Sequence, residues 1–225
     1  MRKALVLLLL LAAVASVEAA EVKIFLGPTV SSYTARWPSA VFPGPMGRST
    51  GLNPFSNGRT GTLEGFGIEF PFGKRFSLEI DGLYFTMGSS FTQPTAIFTV
   101  QREDYSLESL NAPILIKFRP RQGFFPYLLA GINPSFILYH GRTSLILPEA
   151  SVIYRELSRE DLELATQRFD LQPVLGIGLE IVIFKRAVFA EVRYGLGLMN
   201  MVRGFPGSGA SARLRSLCFM LGYQM

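Results

Sequence analysis

Between residues 169 and 184 the chain reads FDLQPVLGIGLEIVIF, and its polar and apolar positions separate by parity. Phe169, Leu171, Leu175, Ile177, Leu179, Ile181 and Ile183 fall on one side, with Asp170, Gln172, Gly176, Gly178 and Glu180 on the other. A period of two over so long a run predicts a β-strand, because successive side chains leave opposite faces of an extended chain. Glu180 has apolar neighbours on both sides and no basic residue in its segment. Its face of the strand must therefore meet something polar.

The same alternation recurs and predicts eight strands, near 22–34, 60–71, 76–87, 105–118, 125–138, 169–184, 188–198 and 213–225. The connections alternate in length: 35–59, 88–104, 139–168 and 199–212 are long, whereas 71–75, 119–124 and 185–187 are short. Tight turns at one end and long loops at the other are expected of an antiparallel barrel crossing a membrane, with both termini on the tight-turn side. Ten residues at about 3.3 Å each, tilted by about 40°, rise about 25 Å, the height of an outer-membrane apolar band. Helical periodicity is confined to SREDLELATQ at 158–167, where Ser158 and Asp161 resemble a capping box and predict a turn or two of helix. The preceding stretch, 143–154, is expected to extend the barrel as a hairpin above the membrane.

Charge falls on one face only. Val188, Ala190, Val192, Tyr194 and Leu196 oppose Glu191 and Arg193; Phe76, Leu78 and Ile80 oppose Glu79 and Asp81. Leu110, Ala112, Ile114, Ile116 and Phe118 oppose Asn111 and Lys117, while Phe66, Ile68 and Phe70 oppose Glu69. A charge facing lipid at the midplane costs roughly 2–4 kcal/mol, so Glu69, Glu79, Asp81, Lys117, Glu180, Glu191 and Arg193 are expected to form a lumen charge network. Eight strands enclose a space that side chains can fill, so these groups are expected to pair and block it. A soluble barrel of the lipocalin kind would invert the faces, but its water-facing side would carry charge at nearly every other position. Here that side is rich in Gly and small polar residues.

The start of the chain, MRKALVLLLLLAAVASVEAA, adds an address. Arg2 and Lys3 precede an uncharged apolar run, and Val17 and Ala19 suit a cut after Ala19, so residues 1–19 are expected to be a secretory signal peptide and 20–225 the barrel domain. Composition agrees: the chain is 48% hydrophobic, with 22 Gly, 19 Phe and 8 Tyr, yet after residue 19 no apolar run approaches the ~20 residues of a spanning helix. The net charge of +5 would suit nucleic acid, but a secreted chain more plausibly meets lipid phosphate. A single cysteine, Cys218, excludes an internal disulfide.

Three blocks carry a family resemblance: FSLEIDGLYFTMGSSF at 76–91, YSLESLNAPILIKFRP through FFPYLLAGINPSFIL at 105–138, and GIGLEI through VRYGLG at 176–197. With their Pro-Tyr-x-x-x-Gly and Arg-Tyr-x-x-Gly patterns, they resemble the outer-membrane β-barrel family that includes PorT-like proteins. The resemblance implies an all-β, eight-stranded up-and-down barrel in the outer membrane of a Gram-negative cell, and little chemistry. It also admits a subunit of a secretion or assembly machine. Leu217, Phe219, Leu221, Tyr223 and Met225 keep the apolar alternation of a C-terminal insertion signal, which the barrel-assembly machinery would read.

Candidate chemistry is sparse. His140, the only histidine, is expected just outside the fifth strand, where Ser144 and Glu149 are the conceivable partners for a lipid A-modifying enzyme. No nucleophile motif supports that reading, and a loop histidine at headgroup level is expected instead. One His and one distant Cys make no usual metal set, and the Gly-x-Gly pairs at 65–67, 176–178 and 195–197 precede no helix, so no cofactor is expected. Cys218 shares the lumen parity of Ser216 and Met220. Two groups of bases remain. Lys74, Arg75, Arg119, Arg121, Lys185 and Arg186 mark the short turns and are expected to meet phospholipid phosphate. Arg36, Arg48, Arg59, Arg203, Arg213 and Arg215 mark the first and last long loops, without an acid among them, and are expected to form a lipopolysaccharide-contacting rim anchored by Trp37 and Phe42. The expectation is a non-catalytic monomer acting through its surface loops in envelope structure, adhesion or binding.

Overall fold

The computed structural model describes residues 20–36, 58–96, 99–120, 125–147, 155–162, 166–183, 186–201 and 211–225. These fold into ten strands: β1 (Glu21–Arg36), β2 (Arg59–Pro71), β3 (Phe76–Ala96), β4 (Thr99–Asn111), β5 (Ile114–Phe118), β6 (Phe125–Leu147), β7 (Arg155–Asp161), β8 (Phe169–Ile183), β9 (Arg186–Leu196) and β10 (Ser211–Gln224). One antiparallel sheet runs β2-β1-β10-β9-β8-β6-β4-β3, and β2 also pairs β3, so the sheet closes on itself. First and last strands zip along their length, from Lys23 opposite Gln224 to Arg36 opposite Ser211.

Ten strands replace the expected eight because one expected strand is interrupted and part of one expected loop is itself a strand. Pro113 has no N–H for the ladder. The chain between β4 and β5 is held instead by Ala112 N–H donating to Pro134 O at 2.9 Å and Asp81 N–H donating to Pro113 O at 3.0 Å. Both β4 and β5 pair with the same neighbours, β3 and β6. Similarly, β7 and β8 both pair with β6, Gly141 lying opposite Asp161 and Phe136 opposite Phe169.

The region expected to be helical departs further. Ser158 to Asp161 lie in β7, paired with Thr143, Ser144 and their neighbours on β6. A capping box satisfies two orphan donors, whereas the extended β6 edge offers a ladder along the whole segment, and the ladder prevails. The hairpin expected over 143–154 begins as the end of β6, and 148–154 lie outside the described residues. Much of the expected loop at 88–104 is likewise strand, the upper parts of β3 and β4.

The faces divide as the alternation predicts. Leu175 is 65% exposed, Leu221 63% and Leu128 53%, while Lys23, Glu69, Glu79 and Lys117 are fully buried. Apolar side chains left in water forgo about 25 cal/mol per Å² each, so a belt of them around a buried polar interior belongs in lipid. Along the inward side of β3 the interior has two layers. Ser77, Glu79 and Asp81 lie towards the tight turns, followed by Leu83, Phe85 and Met87. The second group joins Leu63, Leu107, Ile137, Leu214 and Met220 in an apolar cluster.

Candidate functional site

The charged layer is built from inward positions of β1, β2, β3, β5, β8 and β9. Near the tight-turn end, Glu180 accepts from Lys117 Nζ at 2.9 Å and from Arg119 Nη2 at 3.0 Å. Glu69 gathers three bases: Lys23 at 2.6 Å, Lys117 at 3.2 Å and Arg119 at 2.5 Å. Lys23 continues to Glu79, which also meets Arg193. Arg193 in turn binds Asp81 at 2.5 Å and donates Nε–H to Glu191 at 2.7 Å. Tyr127 completes the layer by donating its hydroxyl to Glu191 at 2.6 Å, and Lys117 Nζ lies 3.8 Å from the centre of the Tyr127 ring.

Small residues make the room. A Cβ on Gly178 would lie 2.3 Å from Tyr127 Cζ, and one on Gly222 would lie 2.2 Å from Phe189 Cζ. Each glycine sits beside its aromatic in the ladder, Gly178 opposite Tyr127 and Gly222 opposite Phe189, so the rings lie flat over backbone and project into the lumen. A cavity of about 20 Å³ beside Asn133, Gln172, Arg193 and Ser216 leaves space for about one water. Around it the side chains of the layer meet one another in consecutive ion pairs.

All seven expected lumen residues lie in this layer. Three others belong to it that the sequence reading missed. Lys23 alternates with outward Ile24 and Leu26, so its inward parity is present in the sequence itself. Arg119 is expected at the headgroup level with the other turn bases; the structure corrects this, for Glu69 and Glu180 draw its guanidinium inward. Tyr127 reads as an ordinary strand aromatic, and nothing in its spacing marks the bond to Glu191.

Of the expected arginine rim, the side chains of Arg59, Arg213 and Arg215 lie among the described residues. Arg213 is exposed and Arg215 half-buried, on the outward parity of β10 between buried Ala212, Leu214 and Ser216. Arg59 instead lies over Gly88 and donates to Ser106 Oγ at 3.1 Å, reaching towards β4. Arg36 ends β1 opposite Ser211. Arg48, Arg203, Trp37 and Phe42 lie outside the described residues, as do Arg121 and Lys185.

His140 is not in a loop but inside β6, opposite Leu107, and is buried. Thr166 gives its hydroxyl proton to Leu162 O at 2.7 Å, so His140 Nδ1–H is the donor in the 2.7 Å contact with Thr166 Oγ1. Burial pushes the imidazole down to about 4. Cys218 is buried on the inward face. Among the described residues no three His, Cys, Asp or Glu side chains could hold a metal ion.

The family described as outer membrane protein beta-barrel domain matches residues 15–203. No curated protein matches the chain. Among solved structures, OprG from Pseudomonas aeruginosa is 11% identical, with 92% of this chain and 96% of that chain covered and a TM-score of 0.46. Ail of Yersinia pestis, in complex with the heparin analogue sucrose octasulfate, is 12% identical, covering 92% and 99% at a TM-score of 0.40. The outer membrane protease OmpT from Escherichia coli is 9% identical, covering 93% and 97% at 0.45. Likenesses this distant carry no information about activity.

Proposed function

The chain belongs to the outer membrane protein beta-barrel domain family and resides in the bacterial outer membrane, and from that premise we propose that it is a closed, non-catalytic barrel acting through what it displays outside the cell. The membrane-crossing unit has eight positions, with β4 and β5 sharing one and β7 and β8 another. Residues 1–19 serve as the signal peptide, and the barrel-assembly machinery inserts the rest as a monomer. The observation that carries the reading is the unbroken run of ion pairs from Arg119 to Arg193 across the lumen. An interior so filled offers no path for solute, which leaves the outer surface to do the work. Planar-bilayer recording tests it: no stable conductance is expected, and nanosiemens-scale pores would overturn it.

What the surface does is envelope structure, adhesion or binding. The upper parts of β3, β4 and β6, with β7, rise beyond the apolar band as paired strands, a stiff platform for a partner. That platform also favours the second reading, a PorT-like subunit of a secretion or assembly machine. Crosslinking in intact envelopes separates the two, since a stoichiometric protein partner would establish the machine. The third reading, lipid A modification through His140, finds less support: its side chain turns inward, away from the lipid.

A further inference from the structure

The fully buried part of the charged layer does not balance. Lys23, Lys117 and Arg193 supply three positive charges, whereas Glu69, Glu79, Asp81 and Glu191 supply four negative ones. Nearer the turn end Arg119 stands against both Glu180 and Glu21, so that end supplies no surplus positive charge. The shortfall is local. Glu69 touches three bases, while Glu79, Asp81 and Glu191 converge on the single guanidinium of Arg193, with Lys23 shared by Glu79 alone. Within this group Glu191 uses both oxygens, one for Tyr127 and one for Arg193. Glu79 also uses both, for Lys23 and Arg193. Asp81 does not: Oδ2 accepts from Arg193, but Oδ1 is buried without a hydrogen-bond partner.

We infer that Asp81 is a buried proton-binding site, holding one proton on Oδ1 that completes the charge balance of the lumen. An ionised carboxylate with one oxygen bare of donors is far costlier in a dry interior than a neutral carboxyl with a hydroxyl there. A metal cation would answer the same deficit, but the site has no room for one. Oδ1 packs against the backbone of Gly67, so closely that a Cβ there would lie 2.1 Å from it, with the Phe25 ring alongside. The charged and titratable groups on the surrounding elements are Glu79 on the same strand, Lys23 on β1, Glu69 on β2, Lys117 on β5, Tyr127 on β6, Glu180 on β8, Glu191 with Arg193 on β9, and Cys218 on β10. None donates to Oδ1. Asp81 therefore differs in kind from its neighbours: it is the acid whose charge the fold does not use.

Infrared spectroscopy of the full chain refolded into phosphatidylcholine vesicles tests this directly. At neutral pH the wild type is expected to show the carbonyl stretch of one protonated carboxylic acid, shifted in D2O. Asp81→Asn should fold, lose that band and be at least as resistant to urea as the wild type. Glu160→Gln, at an exposed position, should keep it, and Glu79→Gln should fold less well. Absence of the band in the wild type, its survival in Asp81→Asn, or failure of Asp81→Asn to fold would each overturn the assignment. A wild type without the band, whose stability depended on sodium over a bulky organic cation, would identify a metal ion in place of the proton.

Discussion

Lys117 and Glu180 meet at 2.9 Å although β6 lies between the strands that carry them. Their contact passes over β6 on the inward face of the sheet, where Lys117 Nζ also lies 3.8 Å from the centre of the Tyr127 ring. Removing Lys117 leaves Glu180 to Arg119 alone and takes one of the three bases from Glu69. Lys117→Met is expected to lower stability by about 1–3 kcal/mol in urea titration of the refolded protein, followed by circular dichroism. Adding Glu180→Gln should restore part of the loss, with a coupling of about 1–3 kcal/mol in the double-mutant cycle. Additive losses would mean that the two side chains act independently.

The existence of that layer is legible in the sequence, but its wiring is not. Parity places Glu180, Glu191 and Lys117 on an inward face because a period of two allows only two faces, and lipid forbids charge on one. Which base serves which acid depends on the stagger of neighbouring strands, and Lys117 reaches across to β8 because of that stagger. Arg119 shows the limit from the other side. At the end of a strand parity no longer constrains direction, and the two carboxylates within reach decide it. The interruption at Pro113 could be foreseen from its missing N–H, yet the strand β7 before Phe169 could not, since it forms on the upward continuation of β6.

Gly178 gives a test of packing without charge. Its Cβ-free face receives the Tyr127 ring, whose hydroxyl holds Glu191 at 2.6 Å. In Gly178→Ala the methyl group must displace a buried ring and that hydrogen bond together, at an expected cost of about 1–3 kcal/mol. The heat-modifiable shift of the folded barrel on a denaturing gel should occur at lower temperature. A double variant, Gly178→Ala with Tyr127→Leu, should recover some of the loss, and no recovery would point to a backbone effect instead.

His140 sets an acid limit on the upper barrel. It lies on β6 beyond Phe136 and Phe169, which close the outward apolar belt, so it stands outside the membrane. Burial holds its folded-state value down to about 4, below the roughly 6.5 of an unfolded histidine. The neutral ring is therefore favoured in the folded state, and its contribution is complete above about pH 6.5 and lost as pH falls towards 4. The loss amounts to at most about 3 kcal/mol. Urea midpoints of the wild type should drop over that window, and the drop should shrink in His140→Gln. An identical pH profile in the variant would assign the acid sensitivity elsewhere.

Arg213 and Arg215 carry what the structure leaves of the rim. They stand two positions apart on the outward side of β10, opposite Thr34 and Ser32 of β1, and Leu196 of β9 lies opposite Arg215. None of these neighbours is acidic, so the two guanidiniums repel each other unless an anion joins them. Guanidinium binds phosphate in a bidentate fashion, and the outer leaflet presents phosphorylated lipopolysaccharide at this height. Arg59 is otherwise engaged, donating to Ser106 on the far side of Gly88. The pair and the single residue should therefore behave differently. In Arg213→Gln with Arg215→Gln, lipopolysaccharide retained through detergent purification is expected to fall several-fold, while Arg59→Gln should leave it unchanged. Equal retention in all three proteins would show that these arginines are merely solvated, and equal losses would restore a rim to which Arg59 also contributes.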